Sequence, residues 1–255
     1  MAAGSAAAAP EGVFDMAKPI SVEAFAAGVS AALGGRLVSL LLYGSAARGS
    51  HVAGRSDVNT LLICDAVDES LFAALRTGTL LRDWLRAGNP APLILSDAEW
   101  RDSADVFPIE YDDIRAAHRV LAGKDPWSGV SVRRDDLRRQ LEQELMGKLV
   151  RLRQAYAATR DDGRALTRAI AGSLGGFFTM LRAALRLAGR PAPSGGNAVE
   201  LLAHAAGAIG FPAEPLADLA AYAAGAAKLA LQPADPRAAA YLTAVAKTAE
   251  FVDHL

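Results

Sequence analysis

The sequence predicts an α+β chain in which a mixed sheet interleaved with helices is followed by an all-helical bundle. Three observations carry that expectation. Apolar runs too short for helices recur between residues 37 and 111. From Leu137 onward, apolar residues instead return every three or four positions. Between the two regimes lies the turn-forming segment AGKDPWSG at 122–129, where strand signals stop. The expected organisation is a disordered tail over residues 1–18, a first domain over 19–125 and a helical domain over 130–255, which fits domains of roughly 100–150 residues.

Ser21 can cap an Ala-rich helix that runs to Leu33 and is stopped by Gly34-Gly35. LVSLLLY at 37–43 reads as a buried strand ended by Gly44, and DVNTLLIC at 57–64 as a second one with a polar start. The intervening SAARGSHVAGRS is rich in turn formers. Residues 69–87 read as a helix on the spacing of Leu71, Leu75, Leu80, Leu81 and Leu85. PLIL at 92–95 and VFPIEY at 106–111 supply further strands, the second an edge or bulged strand because Pro108 cannot donate to a ladder. In the second half, Leu137, Leu141, Leu145, Leu149, Leu152 and Tyr156 line one long helix. Further helices are expected at 164–188, 197–208, 215–230 and 236–254, separated by the breakers RPAPSGG, GFPAEP and QPADP.

A formal net charge of −1 removes the global field that drives counterion release, so no long nucleic acid is expected as a partner. Cys64 is the sole cysteine, which rules out an internal disulfide or a cysteine metal cage and favours an intracellular setting. MAAGSAAAAPEG lacks the basic and apolar regions of a secretory signal. The charge-free run Ala169 to Leu181 falls short of the roughly 20 residues of a membrane span, so the expected location is the cytoplasm, away from membranes.

Chemistry is expected where the first two strands meet. Alternation puts Asp57 and Asn59 on one face. Gly44 lets backbone approach a ligand, and Ser45 offers a hydroxyl and an N–H suited to phosphate oxygens. Arg48 and Arg55 in the connecting loop can add charge-assisted hydrogen bonds to a triphosphate. Glu110 can bring a second carboxylate; Asp112 shares its strand face and Asp113 adjoins it.

At these residues the sequence resembles the DNA polymerase β-like nucleotidyltransferase superfamily, whose signature is an apolar residue, Gly, Gly or Ser, a spacer of about ten residues, then acid-apolar-acid opening a strand. Tyr43-Gly44-Ser45 and Asp57-Val58-Asn59 match it with eleven residues between. LLYGSAARGS followed by SDVN looks most like the stand-alone bacterial members, including the aminoglycoside adenylyltransferases, which pair this domain with a helical one. The motif likeness covers about residues 36–125; the helical half is alike in architecture only.

The resemblance implies a mixed sheet with helices on one side. It also implies transfer of a nucleoside monophosphate from a nucleoside triphosphate, carrying Mg2+ or Mn2+, to an acceptor held between the two halves. Gly44, Ser45, Arg48, Arg55 and Ser56 would bind the nucleotide, and Asp57, Asn59 and Glu110 would be metal ligands, with Asp57 bridging and Glu110 also a candidate base. Asn59 stands where the pattern has an acid, which lowers metal affinity and rate and makes a nucleotide-binding pseudoenzyme or regulatory module the rival reading. A ribonuclease of toxin type is disfavoured because the helical half has no Arg followed four to six residues later by His.

Other features have plainer readings. His51 and His118 are expected at the surface, and His204 and His254 lie on separate helices without a second ligand at i+3 or i+4. Ten Lys or Arg against six acids between Arg133 and Arg168 read as a solvated, ion-paired helix face. GSLGGF at 172–177 follows no strand and reads as close helix packing.

Overall fold

The computed structural model of the protein describes residues 19–52, 57–192 and 197–255, so the expected tail at 1–18 lies outside the described residues. A four-stranded mixed sheet is built from β1 (Leu37–Tyr43), β2 (Asn59–Cys64), β3 (Leu93–Ser96) and β4 (His118–Gly123) in the order β3-β2-β1-β4. β1 pairs antiparallel with β2 and with β4, while β2 and β3 run parallel. That parallel pair needs a crossover, which α3 (Glu69–Arg76) and α4 (Leu80–Arg86) supply. The single helix expected at 69–87 is thus two, broken at Gly78, whose φ of 70° no helix interior accommodates.

Alternation along the strands sends side chains to two cores. Leu40, Leu62 and Cys64 pack with Phe25, Val29 and Leu33 of α1 (Val22–Leu33) and with Leu71, Leu75 and Trp84 of the crossover. Leu41, Leu61 and Ile63 face the other way, onto Trp100 of α5 (Asp97–Asp102) and Tyr111 and Ile114 of α6 (Pro108–Ala116). Helices therefore cover both faces, not the one side that the resemblance implied. Trp127 and Val130 join the second core, and the Trp100 indole N–H donates to the Pro126 carbonyl at 3.0 Å, so the turn segment is tied to the sheet.

The strand expected at 106–111 is instead the start of α6. Pro108 occupies its first turn, where a missing N–H costs nothing. The buried residues Ile109, Tyr111, Asp113 and Ile114 follow helical spacing, and the orphan N–H of Ile109 donates to Gln140 Oε1 at 2.8 Å. The strand that does close this edge is β4. A Cβ at Gly123 (φ 79°), its last residue, would collide with the Val38 carbonyl, so the chain reverses there only because glycine does.

Beyond the sheet, α7 (Arg134–Thr159) and α8 (Gly163–Leu187) are joined by a three-residue link, with α9 (Ala198–Ile209), α10 (Ala217–Ala223) and α11 (Pro236–Asp253) completing the bundle. α7 buries Leu137, Leu141, Leu145, Leu149 and Leu152, the stripe read from the sequence. The helix expected at 215–230 stops at Ala223, followed by Gly225 at φ 77°. No helix among the described residues is long and apolar enough to cross a membrane.

α11 is anchored by Asp235, which caps it. Its carboxylate accepts from the backbone N–H groups of Arg237 and Gln232 and from the Arg237 guanidinium at 2.8–3.0 Å, and Arg237 reaches on to Asp218 at the start of α10. The Arg237 hydrogen bonds, against the opposing cost of burial, hold the Asp235 carboxyl well below the ordinary carboxylate range. Asp235→Ala is expected to cost about 2–4 kcal/mol of unfolding free energy at neutral pH, read by urea denaturation. Because the folded-state value is depressed, that contribution is present above the unfolded-state pKa of about 3.9 and disappears as pH falls below it. A difference between wild type and variant that persisted unchanged into strong acid would overturn the assignment.

Candidate functional site

The register of β1 on β2 pairs Tyr43 with Asn59, so the chain leaves one strand beside the point where it enters the other. Gly44 takes φ 75°, which an L side chain rarely adopts, and its open side faces the Asn59 amide, 3.4 Å from where a Cβ would stand. It turns the chain into α2 (Ser45–Arg48), a single helical turn closed by Gly49, also at φ 75°. The Gly44 N–H donates to the Ala117 carbonyl at 3.3 Å, which ties the turn to the residue preceding β4.

These elements open onto a cavity of about 660 Å³. Gly44, Ser45, Arg48, Asp57, Asn59 and Glu110 all line it, so the structure brings together every described site residue expected from the sequence. Arg55 and Ser56 lie outside the described residues. Asp57 is exposed and precedes β2 by two residues, rather than opening the strand as expected. Glu110 reaches the cavity from the first turn of α6, not from a strand; the Gln140 amide donates to it at 3.3 Å. The opposite wall comes from the bundle and includes Phe178, Thr179 and Arg182 of α8, and Asn197 before α9.

Between the walls lies a buried ionic cluster. Arg48 donates to both oxygens of Asp113 at 3.2 and 3.3 Å. From α8, Arg182 Nε stands 3.6 Å and Arg186 Nη2 3.7 Å from Asp113 Oδ1, while Arg186 Nε donates to Asp112 at 2.7 Å. Burial pushes the Asp112 carboxyl up, with Arg186 pulling it back. Burial, reinforced by Arg48, lowers Arg182 to about 10, still protonated at neutral pH. The Tyr43 hydroxyl is pushed up to about 12 by burial and by the nearby charges of Asp113 and Glu110.

The donors suit a cation that arrives on a ligand better than one held by the protein alone. Among the described residues no group of three or more His, Cys, Asp and Glu side chains is placed to hold a metal ion. Asp57 and Glu110 offer two carboxylates to the cavity, Asn59 a neutral amide, and Asp113 is paired with arginines. Magnesium ordinarily takes one or two protein carboxylates and completes its shell with water and substrate phosphates, so this set fits a phosphate-borne ion.

Arg182 and Arg186 escaped sequence reading, although two arginines inside the otherwise apolar FFTMLRAALRL were a usable signal. GSLGGF meets the expectation of helix packing in part, since Gly176 lies against Lys148 of α7 and Leu174 and Phe177 are in the bundle core. A Cβ at Gly172 or Gly175 would meet nothing within 4 Å, so these glycines border open space, Gly175 at the cavity itself. The basic stretch 133–168 pairs internally, as in Arg138 with Glu142 at 3.1 Å, and none of it lines the cavity. His51 is exposed and lines the cavity, whereas His118 Nδ1 lies 3.0 Å from the Ile114 carbonyl.

Removing the Asp113 charge leaves the arginines of two elements facing one another. Asp113→Asn, of equal size, is therefore expected to lower unfolding free energy by about 3–5 kcal/mol. Recovery of most of that loss in Asp113→Asn combined with Arg48→Met, measured as a double-mutant cycle, checks that repulsion is the cause.

Compared with protein-family models and with curated proteins, the sequence finds no match, so the functional reading rests on the cavity and its residues.

Proposed function

We propose that the cavity binds a nucleoside triphosphate with its Mg2+ or Mn2+ ion, and that the chain transfers the nucleoside monophosphate to an acceptor lying against the bundle. The observation that carries this reading is the convergence of Gly44 and Ser45, leaving β1, with Asp57 and Asn59, entering its antiparallel neighbour, where Glu110 joins them. Such a pairing of a tight glycine turn with carboxylates is what a triphosphate and its cation need. The same residues carry the likeness to the DNA polymerase β-like nucleotidyltransferases.

In this reading Asp57 holds the cation and Asn59 adds a neutral oxygen beside it. The cation, when bound, offsets phosphate charge and steadies attacking and leaving oxygens. Ser45 supplies a hydroxyl to a phosphate oxygen. Glu110, steadied by Gln140, is the carboxylate available to take the acceptor's proton.

A second reading, favoured by Asn59 where the pattern has an acid, is a module that binds nucleotide without turning it over. The two separate on measurement. A triphosphate with Mg2+ is expected to raise the melting temperature, and Asp57→Ala to remove most of that rise. Absence of triphosphate binding to the wild type by calorimetry at millimolar concentration would end both readings. Asn59→Asp adds a charged oxygen and is expected to tighten Mg2+ binding; in a competent enzyme it also speeds pyrophosphate release, which a binding module does not show. If Asn59→Asp stays folded and changes neither quantity, residue 59 does not face the cation.

A further inference from the structure

The acids that line the cavity, Asp57, Glu110 and Asp113, all come from the first half of the chain. The wall contributed from residue 175 onward carries no acid among the described residues and one charged group, Arg182. Arg182 is a costly residue to place there. It is largely buried, its Nε makes no hydrogen bond among the described residues, and its nearest carboxylate oxygen stands 3.6 Å away. Its Nη2 reaches only a hydroxyl, Thr179 Oγ1 at 3.4 Å. Asp113, which accepts from Arg48 on both oxygens, lies beyond hydrogen-bond reach of that Nε. Around Asp113, two carboxylates, Asp112 and Asp113, face three guanidiniums, so Arg182 has no carboxylate of its own, while Asp57 and Glu110 line the cavity from the opposite wall.

The surrounding groups complete the pattern. Asn197 caps α9 with its Oδ1, which accepts from the Val199 and Glu200 N–H groups, so the free part of its amide is the N–H side. Thr179 adds a hydroxyl, and Gly175, one turn earlier on α8, leaves the wall open where a side chain would stand. Arginine, amide N–H and hydroxyl around an open space form a donor-rich surface, which a phosphate or carboxylate satisfies and a polycationic molecule does not.

We infer that Arg182, with Thr179 and Asn197, forms an anion subsite on the bundle wall of the cavity, which takes a phosphate or carboxylate group. The inference deepens the nucleotidyl-transfer reading and rests on it for the identity of the second substrate: an acceptor whose own group fills the subsite presents an acid there and not an amine. The group itself has two sources, the triphosphate's own phosphates or an acidic group of the acceptor.

Binding of inorganic phosphate to the full-length chain tests this, by calorimetry and by the rise in melting temperature. Arg182→Gln is expected to weaken phosphate by about tenfold. Asn197→Asp keeps a good helix cap while adding a negative charge to the wall, so it carries the test even if Arg182→Gln does not fold; it too is expected to weaken phosphate. Phosphate that fails to bind the wild type, or that binds these variants as well as the wild type, overturns the subsite. Repeating the titration with the site saturated by ATP and Mg2+ separates the sources: undiminished phosphate binding assigns the subsite to the acceptor, and competition assigns it to the triphosphate. ATP binding that depends on Asp57, with phosphate indifferent to Arg182, removes the subsite and leaves the nucleotide reading standing. Phosphate binding that depends on Arg182, with no ATP binding, does the reverse.

Discussion

The rest of the structure is organised around the buried carboxylate of Asp113. It is met by Arg48 from the turn after β1 and by Arg182 and Arg186 from the bundle. A charge in that position is tolerable only with partners, and the partners come from elements more than sixty residues away on either side. α6 can therefore sit in one way only: Tyr111 and Ile114 toward the sheet, Ile109 toward the leucines of α7, and its acids toward the arginines. Through these contacts α6 links the sheet to the bundle beside the cavity.

Apolar interactions alone would not fix this geometry. The sheet has its own two cores and the bundle a third, and each is built mostly from its own half of the chain. Hydrophobic surfaces are forgiving of small rotations, since their energy follows area more than direction. Hydrogen-bonded guanidinium–carboxylate contacts are directional. The hydrogen bonds from Gln140 to Glu110 and from the Ile109 N–H to Gln140 add a second directional tie, between α6 and α7, at the mouth of the same cavity.

Much of this was legible in the sequence because it depends on local patterns. The strand at Leu37–Tyr43, the glycine turn, the second strand and the leucine stripe of α7 each follow from spacing within a dozen or so residues. What was misread depends on partners far away. VFPIEY alternates like a strand, and only Gln140 capping the Ile109 N–H and the arginines meeting Asp112 and Asp113 show why it is helical. β4 was not recognised as a strand because HRVLAG has little apolar run of its own; it is held by pairing to β1 along its length. Arg182 was missed for the same reason, since nothing near it in sequence says that its wall faces Asp113.

Cys64 ends β2 with no exposed surface, between the sheet and the helices α1 and α3, and burial raises its thiol to about 11. The thiolate is the form that attacks thiol reagents, so in the folded chain this sulfur is protected twice, by access and by protonation. With no other cysteine to compete, the rate at which a maleimide or disulfide reagent modifies the protein reports the opening of the sheet core: its opening rate where reagent outpaces reclosing, its opening equilibrium where it does not. The chain thus carries a built-in reporter of its own local unfolding, one that needs no introduced cysteine and does not respond to motions of the helical bundle unless they reach the sheet.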